Sequence, residues 1–270
     1  MGNSFDKIAM VGAGNVAWHL APVLEAAGCA VSQVYSRSEE KAEELVSLLY
    51  QAEIQTQLDF SNSSAELFIL AVSDDAIAEV VRQIKLPAEA VVVHTSGGQS
   101  LEVLAEAPTE RIGVFYPLQT FSKPRPVDFR DIPICLESDN SEVLSRLTKL
   151  ARSISRQVKL INSEERARLH VAAVLANNFT NHLLRMAEQL LQDHQLDFAL
   201  LHPLIEETVA KALEIGPAQS QTGPACRHDE KTINHHLKYL RTYDPAYAKV
   251  YKALTQHIQS MADDTQDRHS

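Results

Sequence analysis

The stretch Lys7-Ile8-Ala9-Met10-Val11-Gly12-Ala13-Gly14-Asn15-Val16-Ala17 decides the fold of this chain. The run from Lys7 to Val11 reads as a buried strand, and Val16, Leu20, Val23, Leu24 and Ala27 then recur at helical spacing until Gly28 closes the helix. Between the two, Gly12 permits a tight strand-to-helix turn, Gly14 lets the backbone approach a pyrophosphate, and Ala17 keeps the helix close to the strand. Asn15 and Val16 open a helix whose unpaired N–H groups and positive dipole end attract an anion without a basic side chain. A Gly-x-Gly-x-x-Ala match alone fits many tight turns. The strand before it and the helix after it are what make it a dinucleotide signature.

Outward from that turn, short apolar runs alternate with helical patterns. Ala30 to Tyr35 is a second strand, followed by a charged helix around Glu39 to Tyr50 and a weak strand near Gln55 to Leu58. Leu67 to Val72 and Ala90 to Val93 are continuous apolar runs, as fully buried strands should be. Ile112 to Tyr116 ends at Pro117, while Ile132 to Leu136 carries Pro133, which predicts an edge strand. A helix from Ser141 to Ile154 and a strand from Val158 to Ile161 complete a first domain over residues 1–161. The alternation predicts an α/β fold, a Rossmann-type parallel sheet covered on both faces.

From Asn162 the period is helical and stays so, which predicts an all-α C-terminal domain over residues 162–270. Asn162 or Ser163 is the N-cap, and Glu164 and Glu165 complement the dipole. That helix meets no Gly or Pro before residue 194, giving ~30 residues and ~45 Å. A further helix is expected from about Asp197 to Ile215, with Pro203 kinking it or marking a later start. Two more are expected near Glu230 to Arg241 and Pro245 to Met261, before a polar tail, Asp263 to Ser270. The long helix carries Val171, Val174, Leu175, Leu183, Leu184, Leu190 and Leu191 around more than one face, and it outspans a domain of about 13 Å radius of gyration. Both facts predict a homodimer through the helical domain.

The net charge of −10 over 270 residues disfavours nucleic-acid and anionic-membrane partners, which need a basic face. No apolar run reaches the ~20 residues of a membrane span, and no basic segment with an apolar signal core opens the chain. Met1-Gly2 superficially matches a myristoylation signal, but Asp6 stands where that motif has Ser or Thr. Cys29, Cys135 and Cys226 are odd in number and far apart, which suits a reducing, cytoplasmic setting. The nearest histidine cluster, His235-His236 beside Asp229, predicts no metal site, because adjacent residues face different ways on a helix.

Ligands of open α/β sheets bind beyond the carboxyl ends of the strands, which directs attention to the residues just past each run. About twenty residues after the glycines an NAD site usually has a carboxylate for the ribose 2′-hydroxyl, whereas this chain has Ser36-Arg37-Ser38. With Arg37 to pair with a 2′-phosphate and two serines to donate hydrogen bonds, NADP is the expected cofactor. Val72, Ser73 and Asp74 after the fourth run, and Ser96 after the fifth, complete the expected cofactor contacts. His94 follows an apolar strand and precedes Gly97-Gly98, a position from which it can act as proton donor near the nicotinamide. In the long helix His170, Val174, Asn177 or Asn178, and Asn181 are expected on one face. Asn is poor in helix interiors, so the adjacent pair suggests side chains recruited to bind something. Asn178 is therefore named with His94 and His170 as a catalytic candidate.

Taken with Tyr116-Pro117-Leu118-Gln119-Thr120-Phe121-Ser122, His170 to Phe179, and Thr222-Gly223-Pro224-Ala225-Cys226-Arg227-His228-Asp229 before Thr232, the chain resembles a bacterial family over nearly its whole length. That family joins a Rossmann-like domain to a C-terminal all-helical domain of unknown function, and the resemblance implies an NADP- or deazaflavin-dependent oxidoreductase. The last motif commonly reads Arg-Gly-Asp in the family, whereas His228 stands at the Gly position here. The two-domain plan is also similar to that of the 6-phosphogluconate and β-hydroxyacid dehydrogenases and the pyrroline-5-carboxylate reductases. In the hydroxyacid enzymes a catalytic Lys precedes an Asn pair, and alignment on Asn177-Asn178 puts Val174 at the Lys position. The expectation is hydride transfer between NADP and a C=O or C=N carbon of a small molecule, in a cleft between the domains. Two alternatives use the same residues. One is a non-catalytic NADP-binding sensor, favoured by the missing Lys, and the other is hydride exchange between a deazaflavin and NADP, which needs no amino-acid acid or base.

Overall fold

The computed structural model describes residues 4–267, so Met1-Gly2 and the end of the polar tail, residues 268–270, lie outside it. Eight strands form one sheet: β1 (Lys7–Val11), β2 (Ala30–Tyr35), β3 (Glu53–Gln55), β4 (Leu67–Leu70), β5 (Val91–His94), β6 (Ile112–Pro117), β7 (Ile134–Glu137) and β8 (Val158–Leu160). Their order is β3-β2-β1-β4-β5-β6-β7-β8, and every pair is parallel except β6 with β7. The first six strands thus have the doubly wound Rossmann order, with its switch point between β1 and β4.

Helices α1 (Asn15–Ala26), α2 (Glu39–Val46), α3 (Asp74–Gln83) and α4 (Ser141–Ile154) cover the sheet. On one face Ile8, Met10, Leu67, Ile69, Val91 and Val93 pack with apolar residues of α1, α2 and α4. On the other, Ala9, Val11, Phe68, Leu70 and Val92 pack with Ile77, Val80 and Val81 of α3. Alternate residues of β1, β4 and β5 therefore enter opposite cores. This is why the sequence shows unbroken apolar runs there.

Four expectations need correction. β7 is not an edge strand: it begins one residue beyond Pro133, pairs with β6 and β8, and so never asks the proline for a ladder hydrogen bond. β3 lies over Glu53–Gln55, ahead of the predicted stretch, and α2 stops at Val46. The predicted tail from Asp263 is helical to Asp267.

The all-helical part begins at α5 (Ser163–Ala173), closed by a capping box in which the Asn162 side chain accepts from the Glu165 N–H at 2.9 Å and Glu165 accepts from the Asn162 N–H at 2.9 Å. A π-helical segment, Val174–Phe179, follows directly and runs into α6 (Thr180–Gln192). The continuous helix has the predicted length, but the periodicity gave no sign of the wide turn inside it. Beyond lie α7 (His202–Ile215), with Pro203 in its first turn rather than inside it, α8 (Pro217–Ser220), α9 (Glu230–Tyr243) and α10 (Pro245–Asp267). Compact units divide at Asn178/Phe179. Within the second, Ile233, Leu237, Leu240 and Ala248 form a small core between α9 and α10, whereas α6, α7 and α8 bury no residue at all. No described helix is long and apolar enough to cross a membrane.

Candidate functional site

The turn after β1 explains its two glycines separately. Gly12 has φ +114°, its N–H donates to the Tyr35 carbonyl at 2.7 Å, and a Cβ there would collide with the Ala71 carbonyl and lie 3.1 Å from Val72 Cγ1. Gly14 is the N-cap of α1, and a Cβ on it would be 3.9 Å from the Ala71 carbonyl, so its small size leaves room outward rather than relieving an inward clash. The first turn of α1 contains no acidic residue and no side-chain cap, which leaves its N–H groups open to an anion. Ala17 is fully buried one turn further on, against the sheet core.

A cavity of 330 Å³ opens beyond the carboxyl ends of β1, β2 and β4, lined by Gly12, Gly14, Ser36, Arg37, Ser38, Val72 and Ser73 among others. Lys41 and Glu79 also line it, and the sequence reading singled out neither. Ser38 caps α2 by accepting from the Lys41 N–H at 3.4 Å, while Ser36 Oγ accepts from the Ser38 N–H at 3.2 Å. Arg37 and Lys41, next to these bonds, both line the cavity. Neither cation forms an ion pair among the described residues.

A second cavity, of 680 Å³, also lies wholly within residues 1–178 and takes Asn15 and Val16 from the other side of the same turn. Tyr116 at the end of β6, His170 of α5, and Val174, Asn177 and Asn178 of the π-helical segment line it. Asn181, expected on the same face, is not in its wall, because a π turn holds one residue more than an α turn and changes the register beyond it.

Tyr116 and His170 meet here, Oη to Nδ1 at 3.4 Å with rings edge-on at 70°. The contact depends on Gly97, where a Cβ would stand 2.6 Å from both His170 Nδ1 and Tyr116 Cζ. Gly98 beside it faces Asp74 Oδ2 at 3.3 Å and the His170 ring at 3.7 Å, measured from its own virtual Cβ. Burial, then the nearby Cys135 and Asp74, push the Tyr116 hydroxyl up, with Arg166 opposing them, so the phenol stays protonated at neutral pH. Sequence reasoning singled out Tyr116 as a strand-end position and His170 as a catalytic candidate, each by itself. Their pairing across 54 positions had no local signal.

His94 and Ser96 are placed differently. His94 is fully buried and lines neither cavity: its Nδ1 accepts from the Ser96 N–H at 3.1 Å, which assigns the proton of the neutral ring to Nε2, an atom with no hydrogen-bond partner in bonding geometry. Burial and the Arg166 cation push His94 down to about 4, against a smaller opposing effect of the Ser100 backbone, so the ring is neutral at pH 7. Ser96 Oγ accepts from the N–H groups of Gly98 and Gln99 at 3.1 and 3.0 Å and so shapes the glycine turn. Beneath this layer the fully buried Arg166 pairs with Glu137 and donates to the Gln99 carbonyl at 2.6 Å. Glu137 also accepts from the Ser163 N–H at 2.8 Å, tying β7 to the start of α5. Among the described residues no three His, Cys, Asp or Glu side chains group as metal ligands.

Comparison with known proteins places these features in a wider set. Residues 3–119 match a family described as a Rossmann-like domain, and residues 132–258 match a domain of unknown function, DUF2520. A Bacteroides fragilis protein of known structure, provisionally named an NADP oxidoreductase, is 40% identical with a TM-score of 0.86, the alignment covering 95% of this chain and 99% of that one. Protein TM1727 from Thermotoga maritima is 23% identical with a TM-score of 0.75, covering 95% and 99%. An imine reductase from a Pseudomonas species is 18% identical with a TM-score of 0.63, covering 98% and 94%. At their identities the last two share the fold. No curated protein matches the chain.

Proposed function

Because the chain belongs to the family that joins a Rossmann-like domain to the helical domain DUF2520, with a relative 40% identical over its length, we propose that it is an NAD(P)-dependent oxidoreductase. The observation that carries the reading is the pair of cavities on either side of one glycine turn. The first offers glycines, an open helix N-terminus and two cations to a dinucleotide; the second offers Tyr116 and His170 to whatever the nicotinamide meets. The chemistry is hydride transfer between the nicotinamide and a C=O or C=N carbon of a small molecule. Tyr116 and His170 orient that group, Asn178 supplies an amide to the wall, and buried His94 sets the glycine turn that holds the pair together.

NADP is the cofactor we assign, with Arg37 and Lys41 on the 2′-phosphate and Ser36 and Ser38 beside it. A hydrogen bond to a charged group contributes ~1.5–3 kcal/mol, so Arg37→Ala should weaken NADPH binding by roughly 10- to 150-fold and leave NADH nearly unchanged. Titration with both nucleotides by fluorescence tests it. Equal losses for both would remove the assignment.

A homodimer is a companion proposal. Leu183, Leu200, Leu204, Val209, Leu213 and Ile215 are exposed on α6, α7 and the turn between them, on helices that bury nothing. Helical stability comes mainly from packing an apolar face, and a second copy of the chain presents the same uncovered face.

A further inference from the structure

We propose that the group reduced in the 680 Å³ cavity is an iminium carbon, on a molecule bearing no carboxylate or phosphate; the proposal rests on the oxidoreductase reading above. Its first support is the charge inventory of the wall. Of the residues that line the cavity, none is Lys, Arg, Asp or Glu; its polar groups are the amides of Asn15, Gln119, Asn177 and Asn178, the Thr120 hydroxyl and the Tyr116–His170 pair. An anionic substrate would leave water for a wall with no cation to receive it. Two cations on neighbouring segments are already committed, Arg166 being sealed against Glu137, its side chain 1% exposed, and Lys123 paired with Glu44, while the exposed Arg125 does not line the cavity.

The second support is Asp74. This first residue of α3 and His170 both approach the virtual Cβ of Gly98, Asp74 Oδ2 at 3.3 Å and the His170 ring at 3.7 Å, and Asp74 forms no ion pair among the described residues. Its carboxylate acts on the Tyr116 hydroxyl and has no ion-pair partner among the described residues, and its field favours a cation and opposes an anion.

The third is the balance of the step. When NADPH adds hydride to an iminium carbon, the new C–H bond takes the hydride pair, the C=N π pair moves to nitrogen, and its positive charge is quenched. NADPH becomes NADP⁺ and the product is a neutral amine. No proton has to arrive during the step. A ketone would need one at oxygen, to be drawn from the Tyr116–His170 pair, whose phenol is held protonated mainly by burial.

The test uses the full-length protein. NADPH fluorescence first establishes that the nucleotide binds; absence of binding removes the oxidoreductase reading itself. The NADP⁺ complex is then titrated by calorimetry with two matched rings, pyrrolidine as the ammonium and cyclopentanecarboxylate as the anion. We expect pyrrolidine to bind at least about tenfold more tightly, and Asp74→Asn to erase most of that preference. Cyclopentanecarboxylate binding as tightly as pyrrolidine, or pyrrolidine failing to bind at millimolar concentration, overturns the charge argument. In the catalytic arm, 2-methyl-1-pyrroline should be reduced with one NADPH oxidised per amine formed. Faster reduction of 1-pyrroline-2-carboxylate overturns the proposal. If NADPH binds but neither imines nor ketones are reduced, the hydride-transfer reading falls while the ring titration still decides the charge of the ligand.

Discussion

Gly97→Ala is the sharpest single test of the role proposed for the Tyr116–His170 pair. The backbone at Gly97 is not in the left-handed region, so alanine costs nothing there by itself. Its methyl, however, would stand 2.6 Å from His170 Nδ1 and Tyr116 Cζ and 2.8 Å from Tyr116 Oη. Ordinary contacts at such atoms begin near ~3.4 Å, so each of the two rings must retreat by about 0.8 Å, disturbing their 3.4 Å contact. Overpacking of this kind costs ~1–3 kcal/mol of stability, whereas a ~1 Å misplacement of reacting groups costs on the order of 100-fold in rate. NADPH affinity should hold, because the dinucleotide cavity does not include Gly97. The assay is single-turnover oxidation of bound NADPH by 2-methyl-1-pyrroline, with affinity from NADPH fluorescence and folding from urea denaturation. A folded variant with the wild-type rate would refute the role of the pair. A parallel fall in NADPH affinity would instead move Gly97 into the nucleotide site.

Three further outcomes follow from the same structure. Glu137→Ala should lower unfolding free energy by ~3–5 kcal/mol in urea titrations, since it strands the buried Arg166 cation; a midpoint unchanged from wild type would refute a structural ion pair. His94 is held near 4 when folded and titrates near 6.5 when unfolded, so above pH 6.5 both states are neutral and nothing is lost. As pH falls from 6.5 to 4 the unfolded chain takes up a proton the folded ring refuses, and stability should drop by up to about 3 kcal/mol, a decline that His94→Gln flattens. Light scattering at micromolar concentration should report about twice the chain mass of 29.9 kDa, and a clean monomer would end the dimer proposal.

The Rossmann half of the fold was legible because its code is local: the central strands β1, β4 and β5 are apolar runs, and Gly12 sits where only glycine avoids the Ala71 carbonyl. β7 was misread as an edge because Pro133 weighs on a strand only when its missing N–H would face a partner, and here the ladder starts after it. Arg37 was visible as a residue without a carboxylate neighbour in its own triplet, while Lys41, within the Glu39-Glu40-Lys41 run, reads as a solvated helix face. Arg166 was invisible for a related reason. In Ser-Glu-Glu-Arg-Ala-Arg it has the local composition of an exposed first turn, and nothing short-range announces a partner 29 residues upstream on β7. Nor can a hydrophobic period distinguish 4.4 from 3.6 residues per turn over six residues, so the π segment was hidden in a helix of the predicted length.

That segment has a consequence for residue counting. A π turn holds one residue more than an α turn without breaking the helix, so Val174–Phe179 shifts the helical phase of the residues that follow it. Residue counting across it, from His170 to the Asn pair or on to α6, therefore compares positions that differ by about a quarter turn from those of a relative lacking the π turn. Deleting one residue there would restore regular winding and shift the helical phase of the residues that follow in the same helix by about 100°.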